Sequence, residues 1–289
     1  MPIGAHMSIA GGVDKAILRG YELGCETIQI FTRSPRQWRS RDLEPEERER
    51  FRLLKEKTGI DPVVAHDCYL INLASSDEKL WRKSLAVLEE EIGHCGALGI
   101  PYLVVHPGAH LDAGEEVGLK RIAQGLDRVA GLAKALGVEV LLENTAGQGT
   151  SLGSRFEQLA TLLHLVDDNS WLGTCFDTCH AFAAGYELRT PSGYDRTWRE
   201  LDNLVGLERV KVIHINDALG DLGSSLDRHQ HIGQGTLGLE PFRMLLNDDR
   251  FQGLPMLLET PKGASGLEDR ENMRVLHGLM TRKESQRLS

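Results

Sequence analysis

The chain has 289 residues, 41% of them hydrophobic and 26% charged, which is an ordinary composition for a globular protein. Its formal net charge of −9 argues against a general electrostatic attraction of the bare chain to nucleic acid. Residues 1–12 lack a basic segment followed by an apolar one, and the longest uncharged stretch, residues 92–111, is broken by prolines and histidines. We therefore expect neither a secretory signal nor a membrane span.

The five cysteines are odd in number, scattered, and free of C-x-x-C spacing. This pattern favours reduced thiols over disulfides or a cysteine zinc knuckle. We expect a cytoplasmic protein, working as a monomer.

Short apolar runs alternate with helical patterns along the whole chain, which is typical of parallel βα units. The helical patterns are Val13–Leu23, Asp77–Leu98, Glu115–Leu136, Arg155–Val166 and Leu267–Met280. The predicted strands, in chain order, are Ile3–His6, Thr27–Phe31, Pro62–His66, Tyr102–His106, the core of Val138–Thr145, Trp171–Asp177, Val210–His214 and Met256–Glu259.

Eight strands with intervening helices in fewer than 300 residues predict an α/β fold, a single (β/α)8 TIM barrel. No linker, repeat or break in composition divides the chain, so we expect one domain over residues 1–289. The last eight residues, Arg282–Ser289, are polar and are expected to fray.

Among the seven predicted strands after the first, six end on a residue type that binds metals. A single histidine or acid at a strand end is more often a structural or solvated residue. Six on one rim are hard to attribute to chance, and carboxylates placed side by side repel unless cations lie between them. Imidazoles combined with carboxylates favour zinc or a similar metal over magnesium or calcium. The six are His66, His106, Glu143, Asp177, His214 and Glu259.

Further candidate ligands lie outside the strands. His180 follows Asp177 by three residues, and Asp227 and His229 lie in an excursion of about forty residues, far longer than an ordinary connection. These three side chains can complete a further site with open coordination positions, as catalytic zinc sites have.

The other histidines are first interpreted as structural. His94, His164 and His277 fall in helical patterns, whereas His6, His110 and His231 lie close to the predicted rim. The sequence leaves open whether these last three contact substrate or support the ligands.

Eight segments carry a resemblance to one family: GAHMSIAGG, AHDCYLINLAS, HPGAH, LLENTAGQG, FDTCHAFAAGY, HINDA, DRH and LETPKG, running from residue 4 to residue 263. In this order the chain resembles the endonuclease IV family of apurinic/apyrimidinic (AP) endonucleases, which are TIM barrels holding three zinc ions. The resemblance implies a DNA-repair enzyme that cuts the phosphodiester 5′ to an abasic site in double-stranded DNA. By this resemblance, the cut leaves a 3′-hydroxyl and a 5′-deoxyribose phosphate.

The resemblance also implies the residue roles. Glu143 bridges two metals, His66 and His106 complete the first site, and Asp177, His214 and Glu259 complete the second. His180, Asp227 and His229 hold the third ion. Zinc is expected at all three, with Mn²⁺ as an alternative at part of them, and Glu143 and Glu259 count as catalytic. Such a metal pair activates water and stabilises the attacking and leaving oxygens.

The resemblance implies that two loops without metal ligands bind DNA. By resemblance Arg36, Gln37, Tyr69 and Leu70 match residues that the family inserts at the lesion, where an apolar wedge can fill the gap left by an extruded nucleotide. From the residues alone, Tyr69 and Leu70 can equally cap the barrel, and Glu44–Glu49 can neutralise the arginines.

The chain departs from the family pattern at three positions. Gln234 stands where the family commonly has glutamate between two glycines, and Leu219 and Ser225 stand where relatives often carry basic residues. These departures affect the expected contacts with phosphate and the properties of the third metal site.

Two rival functions are a sugar isomerase or epimerase on the same barrel and a non-catalytic binder of damaged DNA. Glu143, Asp177, His214 and Glu259 do not discriminate, because an isomerase site uses the same four positions. The five extra ligand types favour the nuclease: His66, His106, His180, Asp227 and His229.

Overall fold

The computed structural model describes residues 1–39, 41–263 and 266–281. The predicted fraying at Arg282–Ser289 lies outside the described residues. Ten strands occur in the described part: β1 Ile3–His6, β2 Thr27–Phe31, β3 Val63–His66, β4 Tyr102–Val105, β5 Glu139–Glu143, β6 Leu172–Asp177, β7 Val210–His214, β8 Asp217–Ala218, β9 His229–Gln230 and β10 Met256–Leu258.

Eight of these strands close into a parallel barrel in the order β1-β10-β7-β6-β5-β4-β3-β2. β8 and β9 form a separate antiparallel pair inside the long connection between β7 and β10. The predicted TIM barrel is confirmed, and the long connection is a folded excursion that contains this hairpin.

Nine helices cover the described part of the barrel: α1 Val13–Leu23, α2 Pro45–Thr58, α3 Glu78–Leu98, α4 Glu115–Leu136, α5 Phe156–Leu165, α6 Thr178–Ala183, α7 Pro191–Leu204, α8 Glu240–Leu246 and α9 Leu267–Leu279. None of the helices that the structure describes has the length and apolar character needed to cross a bilayer. All five cysteines are free and buried.

Four helices were absent from the sequence prediction. α2 buries only Glu47 and Phe51, so it shows almost no apolar periodicity and is held by its contacts with α1. α7 did carry a signal, because Thr190 caps it, Pro191 opens it, and an apolar face runs through Tyr194 and Trp198. The other two are α6 and α8, with six and seven residues.

Strand residues alternate between two cores. One set packs outward against the helices within the main cluster, including Val63, Leu103 and Val140. The other forms a small buried cluster with one residue from each of six strands, as expected for a layer filling a barrel: Val64, Val104, Leu141, Cys175, Val212 and Leu257. This packed layer is the floor above which the strand-end side chains stand.

Candidate metal centre

The six strand-end residues lie on one rim because every barrel strand runs in the same direction. His66, Glu143, Asp177 and His214 are the last residues of β3, β5, β6 and β7, and His106 and Glu259 follow β4 and β10 by one residue. The structure brings them together in two overlapping groups whose ligand atoms lie within 4.8 Å of one another.

The first group contains His66, His106 and Glu143. Nε2 of His66 lies 3.1 Å from Oε2 of Glu143, and Nε2 of His106 lies 3.2 Å from the same oxygen. Glu143 is fully buried, whereas His106 is partly open to solvent. Two imidazoles therefore converge on one oxygen of a buried carboxylate.

The second group contains Glu143, Asp177, His214 and Glu259. Nδ1 of His214 lies 3.0 Å from Oε1 of Glu143, 3.3 Å from Oε2 of Glu259 and 3.8 Å from Oδ2 of Asp177. Glu143 thus directs one oxygen to each group. Three carboxylates around one imidazole place more negative charge than that ring can balance.

The third group contains His180, Asp227 and His229. His180 lies in α6, directly after β6, and its Nε2 is 3.2 Å from Oδ1 of Asp227. The β8–β9 hairpin carries His229 to the rim, where its Nε2 is buried and has no hydrogen-bond partner. A buried nitrogen without a hydrogen-bond partner fits the role of a metal ligand.

A fourth combination of nearby groups is Asp177, Cys179 and His229. Burial raises the pKa of the Cys179 thiol far above its ordinary value, and its Sγ donates to the carbonyl of Arg228. The thiol is thus engaged with the backbone, and the candidate set keeps Asp177 and His229 without Cys179.

Three histidines have one ring nitrogen tied to a backbone carbonyl. Nδ1 of His66 lies 2.9 Å from the carbonyl oxygen of Asp67, and Nδ1 of His180 lies 3.0 Å from that of Asn144. Nδ1 of His229 lies 3.2 Å from the carbonyl oxygen of Glu259. A carbonyl only accepts, so each Nδ1 donates, and in the neutral ring the lone pair lies on Nε2, which faces the cluster. This arrangement is typical of metal-binding histidines.

The electrostatics of the metal-free cluster point the same way. Burial acts to raise the pKa of Glu143, but His214 and His106 outweigh it and hold that pKa well below its ordinary value. Burial acts to lower the pKa of His66, but the carboxylates of Asp67 and Glu143 raise it well above its ordinary value. The imidazoles and the buried carboxylates of the cluster therefore stabilise one another's charged forms. Nitrogen and carboxylate donors of this kind fit divalent zinc.

A cleft of about 500 Å³ opens onto the three groups. His66, His106, His180, Asp227, His229 and Glu259 all reach it. The remaining walls are supplied by His6, Phe31, Tyr69, Arg228, Pro261 and Lys262. The candidate ligands are therefore accessible to a substrate.

Comparison with known proteins places the chain in a family. A family model described as a xylose isomerase-like TIM barrel matches residues 19–279. The probable endonuclease 4 of Chloroflexus aurantiacus is 54% identical over 279 residues, which cover 96% of this chain and 97% of the relative. The chain belongs to the endonuclease IV family. The prediction of an endonuclease is confirmed by this membership.

Other relatives agree. The probable endonuclease 4 of Geobacter sulfurreducens is 48% identical over 281 residues, 97% of this chain and 95% of the relative. The crystal structure of endonuclease IV from Thermus thermophilus superposes with a TM-score of 0.84 at 41% identity, covering 96% of this chain and 98% of that one.

The isomerase rival has only a likeness of fold. A D-tagatose 3-epimerase-like protein matches with a TM-score of 0.74 but at 18% identity, covering 96% of this chain and 98% of that one. Identity this low shows the shared barrel alone. The endonuclease IV family is therefore a subgroup within a wider barrel architecture.

The predicted DNA-binding residues of this endonuclease IV family member lie on two loops at the rim that carries the candidate ligands. Tyr69 is 65% exposed, meets Phe31 edge-on at 5.4 Å and lines the cleft. Leu70 is half-buried against the core, so it partly fits the capping interpretation. Arg36 and Gln37 are exposed on the loop after β2 and do not line the cleft.

Three buried amides near the ligands were missed by the sequence analysis. Asn144 accepts from the Asp177 amide at 2.8 Å, and Asn216 donates to Oδ2 of Asp177 at 2.8 Å. Gln29 lies fully buried in β2 and contacts Glu259. A polar residue inside the apolar run TIQIF, and asparagines just after two ligand strands, were the available signals.

The remaining histidines separate as the sequence suggested. His94 is buried in α3, and His164 and His277 are exposed on helices. His6 lines the cleft, whereas His231 bonds with Asn272 at 3.1 Å. His110 is half-buried with no partner for its Nδ1.

The three departures from the family pattern lie around the third group. Gln234 and Leu219 are exposed, and Ser225 has a positive φ of 54°. The glycines beside Gln234 donate their amides to the buried carboxylate of Asp217, at 2.9 Å from Gly233 and 3.0 Å from Gly235. The departures therefore change the loop surface and leave its internal support in place.

Proposed function

We propose that this chain hydrolyses the phosphodiester 5′ to an abasic site in double-stranded DNA, leaving a 3′-hydroxyl and a 5′-deoxyribose phosphate. The observation that carries the proposal is the arrangement of Glu143, whose two oxygens serve different donor groups while a third group lies beside them. Membership of the endonuclease IV family supports the DNA substrate.

The residues present suit three divalent ions, which we propose to be zinc, with Mn²⁺ able to replace part of them. When bound, such ions polarise the phosphate and make water a stronger nucleophile near neutral pH. His66, His106 and Glu143 would hold the first ion, Glu143, Asp177, His214 and Glu259 the second, and His180, Asp227 and His229 the third.

In the reaction, the oxygen of water joins phosphorus, the bond from phosphorus to O3′ breaks, and a proton passes to O3′. Glu143 and Glu259 would act by holding the positively charged ions beside the reacting phosphate. No protein nucleophile is then required. Asn144 and Asn216 keep Asp177 in place. Arg228 and Lys262 line the cleft and can meet the anionic backbone.

The acidic chain and an anionic substrate are compatible. Three zinc ions add six charges, so the formal charge of −9 becomes −3, and the added charge is concentrated where the phosphate docks. The local field governs docking more than the total charge. We propose that the chain works as one domain and as a monomer in the cytoplasm.

The test is a nicking assay on a duplex with one abasic site, combined with metal analysis by mass spectrometry. We expect about three tightly held zinc ions and a single cut on the 5′ side of the lesion. Glu143→Gln should lose metal and reduce nicking by at least ~10²-fold. Sugar isomerisation without nicking would favour the isomerase rival, and lesion binding without cutting would favour the binder.

A further inference from the structure

Gln29 is a buried amide beside the second donor group, where it contacts Glu259 and His214, and none of the assigned roles uses it. It lies in the middle of β2, paired in register with His6 on β1 and with Val64 on β3. Residues in register on neighbouring strands share a face of the sheet, so Gln29 faces the barrel interior with Val64. Its exposed fraction is 0%.

The side chain of Gln29 makes three contacts. Its Nε2 lies 2.6 Å from Oε1 of Glu259 and 3.0 Å from Nδ1 of His6. Its Oε1 lies 2.7 Å from Nε2 of His214. Both hydrogens of the amide nitrogen and one lone pair of the oxygen are therefore engaged.

The direction of the amide follows from Glu259. A carboxylate oxygen at 2.6 Å can be met only by the amide nitrogen, because two oxygens at that distance would repel. The amide oxygen must then face His214 and can only accept, so Nε2 of His214 carries the hydrogen. The lone pair of His214 is left on Nδ1, the atom that faces Glu143, Asp177 and Glu259.

The same reasoning applies to His6. Both hydrogens of the Gln29 nitrogen point to acceptors, so Nδ1 of His6 accepts and its own hydrogen lies on Nε2. His6 packs on Phe31 with ring centroids 4.4 Å apart and lines the cleft. One amide thus sets the tautomer of a candidate ligand and of a histidine in the cleft wall.

We propose that Gln29 is a positioning residue that holds His214 in the Nδ1-binding tautomer and directs Oε2 of Glu259 toward the second metal. The proposal rests on the proposed function, because it assumes that these residues bind zinc. Of the other four candidate histidines, His66, His180 and His229 contact backbone carbonyls and His106 is partly open to solvent, so His214 depends on a side chain for this orientation.

The test is zinc affinity, measured by competition with a chelator rather than by turnover. Gln29→Met keeps the length of the side chain and removes its hydrogen bonds. We expect it to weaken the second site by about 10–100-fold, the usual effect of losing a partner behind a ligand. The matched control is Gln158→Met, because Gln158 is also buried and its side chain accepts from the amides of Gly153 and Arg155, neither of them a candidate ligand.

The control should lose stability and keep zinc affinity. If Gln29→Met binds all its zinc as tightly as the control does, the proposal is overturned. A second measurement needs no variant, because nitrogen NMR of the zinc-loaded wild type reports which ring nitrogen of His214 carries the hydrogen. A hydrogen on Nδ1 would overturn the proposal, whereas a wild type that binds no zinc would overturn the proposed function as well.

Discussion

Individual side chains divide the rim into a part that holds charge and a part that we propose meets DNA. The buried carboxylate of Glu143 joins two donor groups, and Asp227 belongs to the third. Asp227 differs from the others because its side chain is 42% exposed and comes from the excursion between β7 and β10. Removing the Asp227 side chain can therefore affect the reaction without destabilising the barrel.

Asp227→Ala is expected to reduce kcat for abasic-site cleavage by at least ~10²-fold, the usual effect of removing an electrostatic contact to the transition state. The melting temperature of the zinc-free protein should stay close to that of the wild type. Steady-state nicking and thermal denaturation measure the two effects. Asp221→Ala, an exposed acid in the same excursion, is the matched control and should leave kcat unchanged. Wild-type turnover of Asp227→Ala would remove Asp227 from the mechanism.

Arg36 and Tyr69 are expected to recognise the lesion rather than take part in the chemistry. Both are exposed, and Tyr69 reaches the cleft from the loop after β3. The double variant Arg36→Ala with Tyr69→Ala should weaken cutting of an abasic duplex by at least ~10-fold, since a stacking contact contributes ~1–3 kcal/mol. Zinc content should stay unchanged, as should hydrolysis of a small phosphodiester. Equal losses on both substrates would show that the two loops support the metal centre instead.

At the scale of elements, α1 and α2 are joined by one carboxylate. α1 has no side-chain cap of its own at Gly12, and Glu47 in the first turn of α2 accepts from the Val13 amide at 3.0 Å. Glu47 also receives both terminal nitrogens of Arg41, at 2.7 and 2.8 Å. A residue of α2 therefore caps the preceding helix, α1, and holds Arg41 of the loop before α2 through the same carboxylate.

Glu47→Ala is expected to lower the free energy of unfolding at pH 7 by ~1–2 kcal/mol, because it leaves a helix-terminal amide unpaired. The Arg41 guanidinium holds the pKa of Glu47 below its ordinary value. Such a group stabilises the fold above its unfolded pKa, about 4.3, and the contribution is lost as pH falls through the lower folded pKa. Urea denaturation should therefore show a difference between wild type and variant that is full at pH 7 and shrinks in this acidic range. Glu46→Ala, an exposed neighbour in the same turn, should show no such difference.

For the whole molecule, the proposed metal binding should be coupled to folding. The rim holds three carboxylates in one group, Glu143 and Asp177 buried and Glu259 half-buried, and histidines beside them oppose their negative charge. Anything that binds the folded state alone stabilises it by mass action. The metal-free protein should therefore fold less stably than the loaded one.

Strong chelation is expected to abolish cleavage and to lower the melting temperature by roughly 10 °C. This follows from about 4 kcal/mol of stabilisation at 1,000 times the dissociation constant and about 2–4 °C per kcal/mol. Calorimetry with and without chelator, followed by return of zinc, measures both effects. Active protein holding one labile magnesium ion per chain would contradict this expectation.

The residue pattern alone was enough to predict the barrel and to select the nine candidate ligands. Eight apolar runs in helical alternation predict parallel strands, and parallel strands place their ends on one rim. Helices with an apolar face, such as α3 and α4, were predictable for the same reason. α2 was not, because its polar sequence buries only two residues and is stabilised by contacts with α1.

What only the tertiary structure decided is how the polar groups pair. No local pattern indicates that Glu143 divides its oxygens between two groups, or that Glu47 caps a helix 34 residues away. Gln29 illustrates the same limit, because its partners His6, His214 and Glu259 lie 23, 185 and 230 residues away in the sequence. Hydrophobic periodicity is a property of neighbours in sequence, whereas hydrogen-bond direction depends on which atoms meet in space. The ligand types were therefore predictable from the sequence, and their orientation was not.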